Sequence, residues 1–173
     1  GDGNGAWDLT INTENQGVTT FEDAVGSNAL LNNLETNADG QTNLNGGEVA
    51  TANDQIYNDS VTLGADTTIN GSNIAFNANI GTNPNDEDAI DLSVNATESI
   101  TTHDINTNGG DLSLTADTEI LTGAIATGGP ELHNGGNVTL TNTDISAQEE
   151  TFRVAPEDDN DIEVTSIDAS GIN

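Results

Sequence analysis

The sequence predicts an all-β solenoid in which parallel strands stack winding upon winding, and three observations predict it. Short alternating apolar motifs recur in tandem, the apolar content is thin and aliphatic, and helix signals are nearly absent. The clearest motif is Asp91-Leu92-Ser93-Val94-Asn95-Ala96. It returns as Asp111-Leu112-Ser113-Leu114-Thr115-Ala116, as Asn137-Val138-Thr139-Leu140-Thr141-Asn142 and as Asp161-Ile162-Glu163-Val164-Thr165-Ser166. The starts lie 20, 26 and 24 residues apart. Each copy places apolar residues two apart, the period of a strand with one buried face. An antiparallel β-sandwich is the alternative, since it also alternates strands and turns, but it has no need of tandem copies.

A second short apolar stretch follows each copy: Ile100 with Ile105, Ile120 with Ile125, Ile145 with Phe152, and Ile167. Glycine pairs at Gly109-Gly110 and Gly135-Gly136 close two units, where turns favour positive φ. The first half uses the same grammar in longer units. Asp8-Leu9-Thr10-Ile11 opens one, Leu30, Leu31 and Leu34 begin another, and Val61-Thr62-Leu63 and Thr68-Ile69 lead to Ile74-Ala75-Phe76. Tandem units of this kind suggest roughly seven or eight coils. At about 4.8 Å per strand they would make a rod about 35 Å long. The best helix candidate, Phe21 to Leu34, carries too much Asn and Gly for more than a short excursion.

Composition agrees with a narrow core. Hydrophobic residues are 32% of the 173-residue chain and aromatics 3%, so apolar burial must be spread lengthwise rather than gathered in a ball. The 25 Asn and 24 Thr suit stacked coils: Thr favours strands, and Asn tolerates left-handed corners. The expectation is one solenoid domain over residues 1–173, a segment of a larger repetitive protein.

Charge limits the partners. Thirty acidic residues face one basic side chain, Arg153, for a net charge of −29. Nucleic acid is excluded because phosphate binding needs Lys and Arg, and no apolar run suits membrane insertion. Carboxylates on successive coils would repel within the roughly 8 Å screening length at physiological salt, so salt or divalent cations should stabilise the fold. There is no Cys, hence neither disulfides nor thiolate metal sites.

The chemistry-bearing residues are mostly oxygen donors. Asn83, Asp86 and Asp88 in one loop, and Asp158, Asn160 and Asp161 in another, are calcium candidates set against the ordinary reading of acidic runs as solvated charge. No cofactor is required on this reading; calcium is the one considered. His103 and His133 lie 30 residues apart, a spacing that matches no compact metal motif. A lyase acting on acidic sugars would need cations that one Arg cannot supply. Paired carboxylates for a polysaccharide hydrolase exist at Asp86, Glu87, Asp88 and Glu157 to Asp161, without aromatic platforms beside them. The chain therefore reads as a non-enzyme.

Gln55-Ile56-Tyr57-Asn58-Asp59-Ser60-Val61-Thr62-Leu63-Gly64-Ala65-Asp66-Thr67-Thr68-Ile69, with Gly71-Ser72-Asn73-Ile74-Ala75-Phe76-Asn77, resembles the degenerate repeats of filamentous-haemagglutinin-type exoproteins. Leu44 to Val49 and Gly109 to Leu114 resemble them too. The resemblance covers residues 8 to 170 in style and specifies architecture rather than ligand. It implies a right-handed parallel β-helix, bacterial secretion by a two-partner route, and an extracellular or cell-surface structural or adhesive module. Such a module serves as rigid stalk, fibre segment or extracellular-matrix component. The family's amino-terminal secretion domain is not evident, and the acidity is unusual for it. Partners on this reading are neighbouring repeats or further copies end to end, with surface glycans or matrix as possible ligands. An ice- or carbohydrate-binding solenoid is the alternative, invited by Thr67-Thr68, Thr101-Thr102 and Thr139 with Thr141. Unit lengths of 20 to 26 residues argue against regular ranks of Thr.

Overall fold

In the computed structural model, residues 7–83, 88–129 and 135–143 are described, and they form a β-solenoid of parallel strands without a helix. The strands are short because Asn, Asp and Gly corners interrupt every alternating run. The first winding holds β1 (Leu9–Ile11) and β2 (Val18–Phe21) and meets the next through a bridge from Val25 to Val49. The second holds β3 (Leu34–Thr36), β4 (Gln41–Leu44) and β5 (Glu48–Ala50), and the third β6 (Gln55–Tyr57), β7 (Ser60–Leu63) and β8 (Thr67–Gly71). Then come β9 (Ile74–Phe76), β10 (Ile80–Thr82) and β11 (Leu92–Ala96), followed by β12 (Ser99–Thr101), β13 (Ile105–Asn106) and β14 (Leu112–Ala116). The last described winding holds β15 (Glu119–Leu121), β16 (Ile125–Ala126) and β17 (Val138–Asn142).

These strands build three sheets. The first runs β1-β3-β6-β9-β12-β15, the second β2-β4-β7-β10-β13-β16, and the third β5-β8-β11-β14-β17. Every strand pairing among them is parallel. Two facing antiparallel sheets are thereby excluded.

The tandem copies are the third sheet in register. Leu92 pairs with Leu112 and Leu112 with Val138, while Val94 pairs with Leu114 and Leu114 with Leu140. Inside, these residues form an aliphatic column continued below by Ile69 and Val49. Ile80, Ile105 and Ile125 make a second column, and Ile74, Ile100 and Ile120 a third. The fourth copy, Asp161 to Ser166, lies outside the described residues, as do Ile145, Phe152 and Ile167.

The described residues, with six strands in two sheets, make about five turns, somewhat fewer than the seven or eight expected for the whole chain, whose last expected copy lies outside them. The described stack is roughly 24 Å long at one strand spacing per turn. Asp8-Leu9-Thr10-Ile11 resembles the later copies but is a first-sheet strand. Leu31 belongs to no named strand; it is bridged singly to Thr51. Phe21 to Leu34 contains no helix at all.

Turn length varies without disturbing register because the surplus sits at corners. In the first sheet, paired positions are 25 residues apart from Leu9 to Leu34 but 19 from Gln55 to Ile74. Left-handed backbone occurs at corners, at Asn15, Gln16, Asp39 and Asn108 among the non-glycine residues. Gly109 has the positive φ expected of it, at 103°, whereas Gly110 and Gly136 do not. Those two are glycine for a different reason. A β-carbon on Gly136 would lie 2.0 Å from the Gly110 carbonyl oxygen, and one on Gly110 2.1 Å from that of Ile90.

Candidate functional site

Three arrangements carry polar chemistry: corner ladders, the outer face of the third sheet, and a polar cluster in the interior. Ladders arise because a side chain at a corner reaches the backbone of the next winding. Asp66 Oδ1 accepts the Asp91 N–H at 3.0 Å, Asp91 Oδ1 that of Asp111 at 2.7 Å, and Asp111 Oδ1 that of Asn137 at 2.7 Å. A second ladder precedes the first sheet. Asp8 Oδ1 accepts from the amides of Asn32 and Asn33, Asn33 Oδ1 from the Asp54 N–H, and Asp54 Oδ1 from the N–H and amide of Asn73. The amides of Asn32 and then Asn33 hold the Asp8 carboxyl below its ordinary range. Part of the acidic coat is therefore structural, each carboxylate receiving a donor from the winding above.

On the third sheet's outer face, two ranks run along the axis. One is Thr68, Ser93, Ser113 and Thr139; the other is Asn70, Asn95, Thr115 and Thr141. All eight are half-buried, small and uncharged. Asn95 donates to Asn70 Oδ1 at 3.0 Å, so like residues ladder here too. Third-sheet pairs stay in register despite variable unit length, but the ranks mix Thr, Ser and Asn: of the threonines singled out in the sequence, Thr67 and Thr102 are buried and Thr101 lies in the first sheet.

The interior of the second and third windings is unexpectedly polar. Thr36, Thr42, Gln55 and Asp59 are all buried. Gln55 Nε2 donates to the Asn70 carbonyl at 2.8 Å and to Thr51 Oγ1 at 3.2 Å, and its Oε1 accepts from the Tyr57 hydroxyl at 2.8 Å. Tyr57 stacks on Phe76 with ring centroids 4.8 Å apart and planes 5° from parallel. Burial first, and then the negative charge of Asp59, raise the Tyr57 hydroxyl far above its ordinary range. Asp59 follows β6 at the corner into β7. Its Oδ1 accepts from Thr36 Oγ1 at 2.8 Å and Thr42 Oγ1 at 3.0 Å, and its Oδ2 lies 3.1 Å from the same Thr42 oxygen.

The calcium candidates taken from the sequence lie elsewhere. Asn83 and Asp88 are exposed on either side of an undescribed stretch between β10 and β11, and Asp86 falls within that stretch. Asp158, Asn160 and Asp161 lie outside the described residues. Among the described residues no three His, Asp or Glu side chains gather as metal ligands. His103 is exposed, and His133 is outside the described residues. Of the aromatics, Tyr57 and Phe76 are fully buried and Trp7 is 66% exposed beside the first winding.

The Asp59 cluster was missed in the sequence because its members share no period. Thr36, Thr42 and Asp59 come from different strands and one corner, and Tyr57-Asn58-Asp59-Ser60 reads as surface polarity between two apolar runs. An Asp so close to a Tyr in a strand-like run was the one available signal.

No family model matches the chain. Neither a curated protein nor a solved structure is similar to it.

Proposed function

We propose that the chain is a rigid structural segment of a secreted or cell-surface bacterial exoprotein, a stalk or fibre element that holds adhesive regions apart. One observation carries this reading: two parallel sheets pass through all described windings and a third through all but the first, each winding locked to the next by backbone bonds and corner ladders. A rod built this way resists bending, and its acidic coat opposes lateral collapse. The resemblance of residues 8 to 170 to filamentous-haemagglutinin-type repeats supports the exported, non-enzymatic setting. Single-molecule pulling between terminal handles tests it: discrete unfolding events under load are expected, and smooth extension of a soft chain would sink the stalk reading.

A second reading has its own observation. The eight uncharged side chains in two ranks on the third sheet form a periodic patch, bordered by Glu48 beside Thr68, on a molecule of net charge −29. Ranks repeat about every 4.8 Å along the axis and about 6.6 Å across it. A rigid array of weak hydrogen-bonding groups gains most from a ligand that is itself periodic, because the ordering cost has already been met in folding. Ice fits that description. Thermal hysteresis in dilute solution is the readout, and its absence removes this reading while leaving the stalk intact.

A further inference from the structure

The outer face of the first sheet differs in chemistry from that of the third. One rank on it runs Glu35, Ile56, Ala75, Thr101 and Leu121, each in register with the next. These side chains point outward, because Gln55, Tyr57, Ile74, Phe76 and Ile100 beside them are buried and successive residues of a strand face opposite sides. Leu121 is 49% exposed, and with Trp7 and Val18 it is one of the large apolar side chains most open to solvent among the described residues. Trp7 is succeeded in the next winding by Asn32 and Val18 by Gln41, both polar. Leu121 is instead continued by Thr101, Ala75 and Ile56, so here the apolar surface is a strip across several windings.

Carboxylates border this strip. Glu35 ends the rank below Ile56, and Glu119 pairs with Ser99 alongside it. Glu98 Oε2 accepts from Asn73 Nδ2 at 2.9 Å on the same flank, and Asp104 stands at the corner beyond β12. All four acids are exposed, and among the described residues there is neither Lys nor Arg to pair with them. A second copy is a poor occupant, since it would bring its own charge of −29 to the contact. The strip is also about 14 Å long and one rank wide, far short of the roughly 800 Å² per partner of a stable interface.

We infer that this strip is a docking surface for a basic amphipathic helix of another protein, lying along the solenoid axis with its aliphatic stripe on Ile56, Ala75, Thr101 and Leu121. In-register pairing keeps the rank straight, with a step of about 4.8 Å. A helix presents an apolar side chain about every 5.4 Å turn, so over three steps the two repeats drift apart by under about 2 Å. Lys and Arg on the flanks of such a helix meet Glu35, Glu98 and Glu119. Charge then steers the encounter and sets orientation, while the aliphatic contact fixes the place. The inference adds a side-on partner of transient type and does not depend on the stalk reading.

The test uses the whole chain and a synthetic helical peptide of Leu and Lys, with Leu along one face and a nitroxide label at its centre. At physiological salt, the amide NMR signals of Ile56, Ala75, Thr101 and Leu121 are expected to broaden first, while those of Thr68 and Ser93 on the third sheet stay sharp. The double variant Ile56→Thr, Leu121→Thr is expected to bind the peptide about tenfold more weakly or worse, because two aliphatic contacts are reduced. A control peptide with Ser in place of Leu keeps the charge and is expected to bind at low salt only. Absence of binding, broadening spread evenly over the acidic corners, or equal affinity of wild type and variant overturns the inference. So does equal affinity of the two peptides at physiological salt. Self-association of the wild type without peptide, abolished in the variant, overturns it too by making a second copy the occupant. Should the variant not fold, the map on the wild type decides.

Discussion

The two ends of the solenoid interior are built on different principles. In the later windings, Leu92, Leu112 and Val138, Val94 and Leu114, and Ile80, Ile105 and Ile125 stack aliphatic on aliphatic. In the second and third windings, Leu34 stacks on Gln55, Thr36 on Tyr57, and Thr42 on Val61. Cohesion in the later part comes from burial of like upon like, which is non-directional. The earlier part relies on directed hydrogen bonds, where every buried polar atom needs its own partner. The same backbone ladder thus accepts either filling, although the buried Thr102 hydroxyl in the later part has no hydrogen-bond partner.

The largest effect separating the two is expected from Leu114→Ala. Leu114 is fully buried between Val94 and Leu140, and neighbours tied into three sheets have little freedom to collapse. A loss of about 2–5 kcal/mol is expected in denaturant unfolding. A loss under about 1 kcal/mol would mean that the aliphatic column is not what holds the later windings together.

A smaller and pH-dependent effect is expected from Tyr57→Phe. At neutral pH the loss should be about 1 kcal/mol, the net worth of the bond to Gln55. The larger consequence is alkaline. Because folding raises the Tyr57 pKa, its contribution is complete below the unfolded value of about 10. Above that, the unfolded chain releases a proton that the folded chain keeps, and stability should fall by up to about 1.4 kcal/mol per pH unit. The chain contains one Tyr, no Cys and a single Lys or Arg, so this slope has few competitors. Tyr57→Phe should flatten it; an identical alkaline slope in the variant would show that the polar half is not the pH-sensitive one.

The same contrast explains what the sequence made legible. Where like stacks on like, the copies at Asp91, Asp111 and Asn137 revealed strands, sheet and register before any coordinates. Where Gln55 lies over Leu34 and Tyr57 over Thr36, register leaves no likeness along the chain. Asp59 was hidden for the same reason: its partners Thr36 and Thr42 are adjacent through winding, not through pattern. The mixed ranks of Thr, Ser and Asn on the third sheet escaped a search for Thr alone, since backbone pairing rather than residue likeness aligns them.

That tolerance of unequal turns reaches beyond stability. Since surplus residues bulge out at the corners and leave the ladders undisturbed, insertions or deletions there are nearly invisible to the scaffold. New loops can be tried at the periphery, one winding at a time, without renegotiating the fold. A lineage of such chains would diverge fastest in its outgrowths while its spine stayed superimposable.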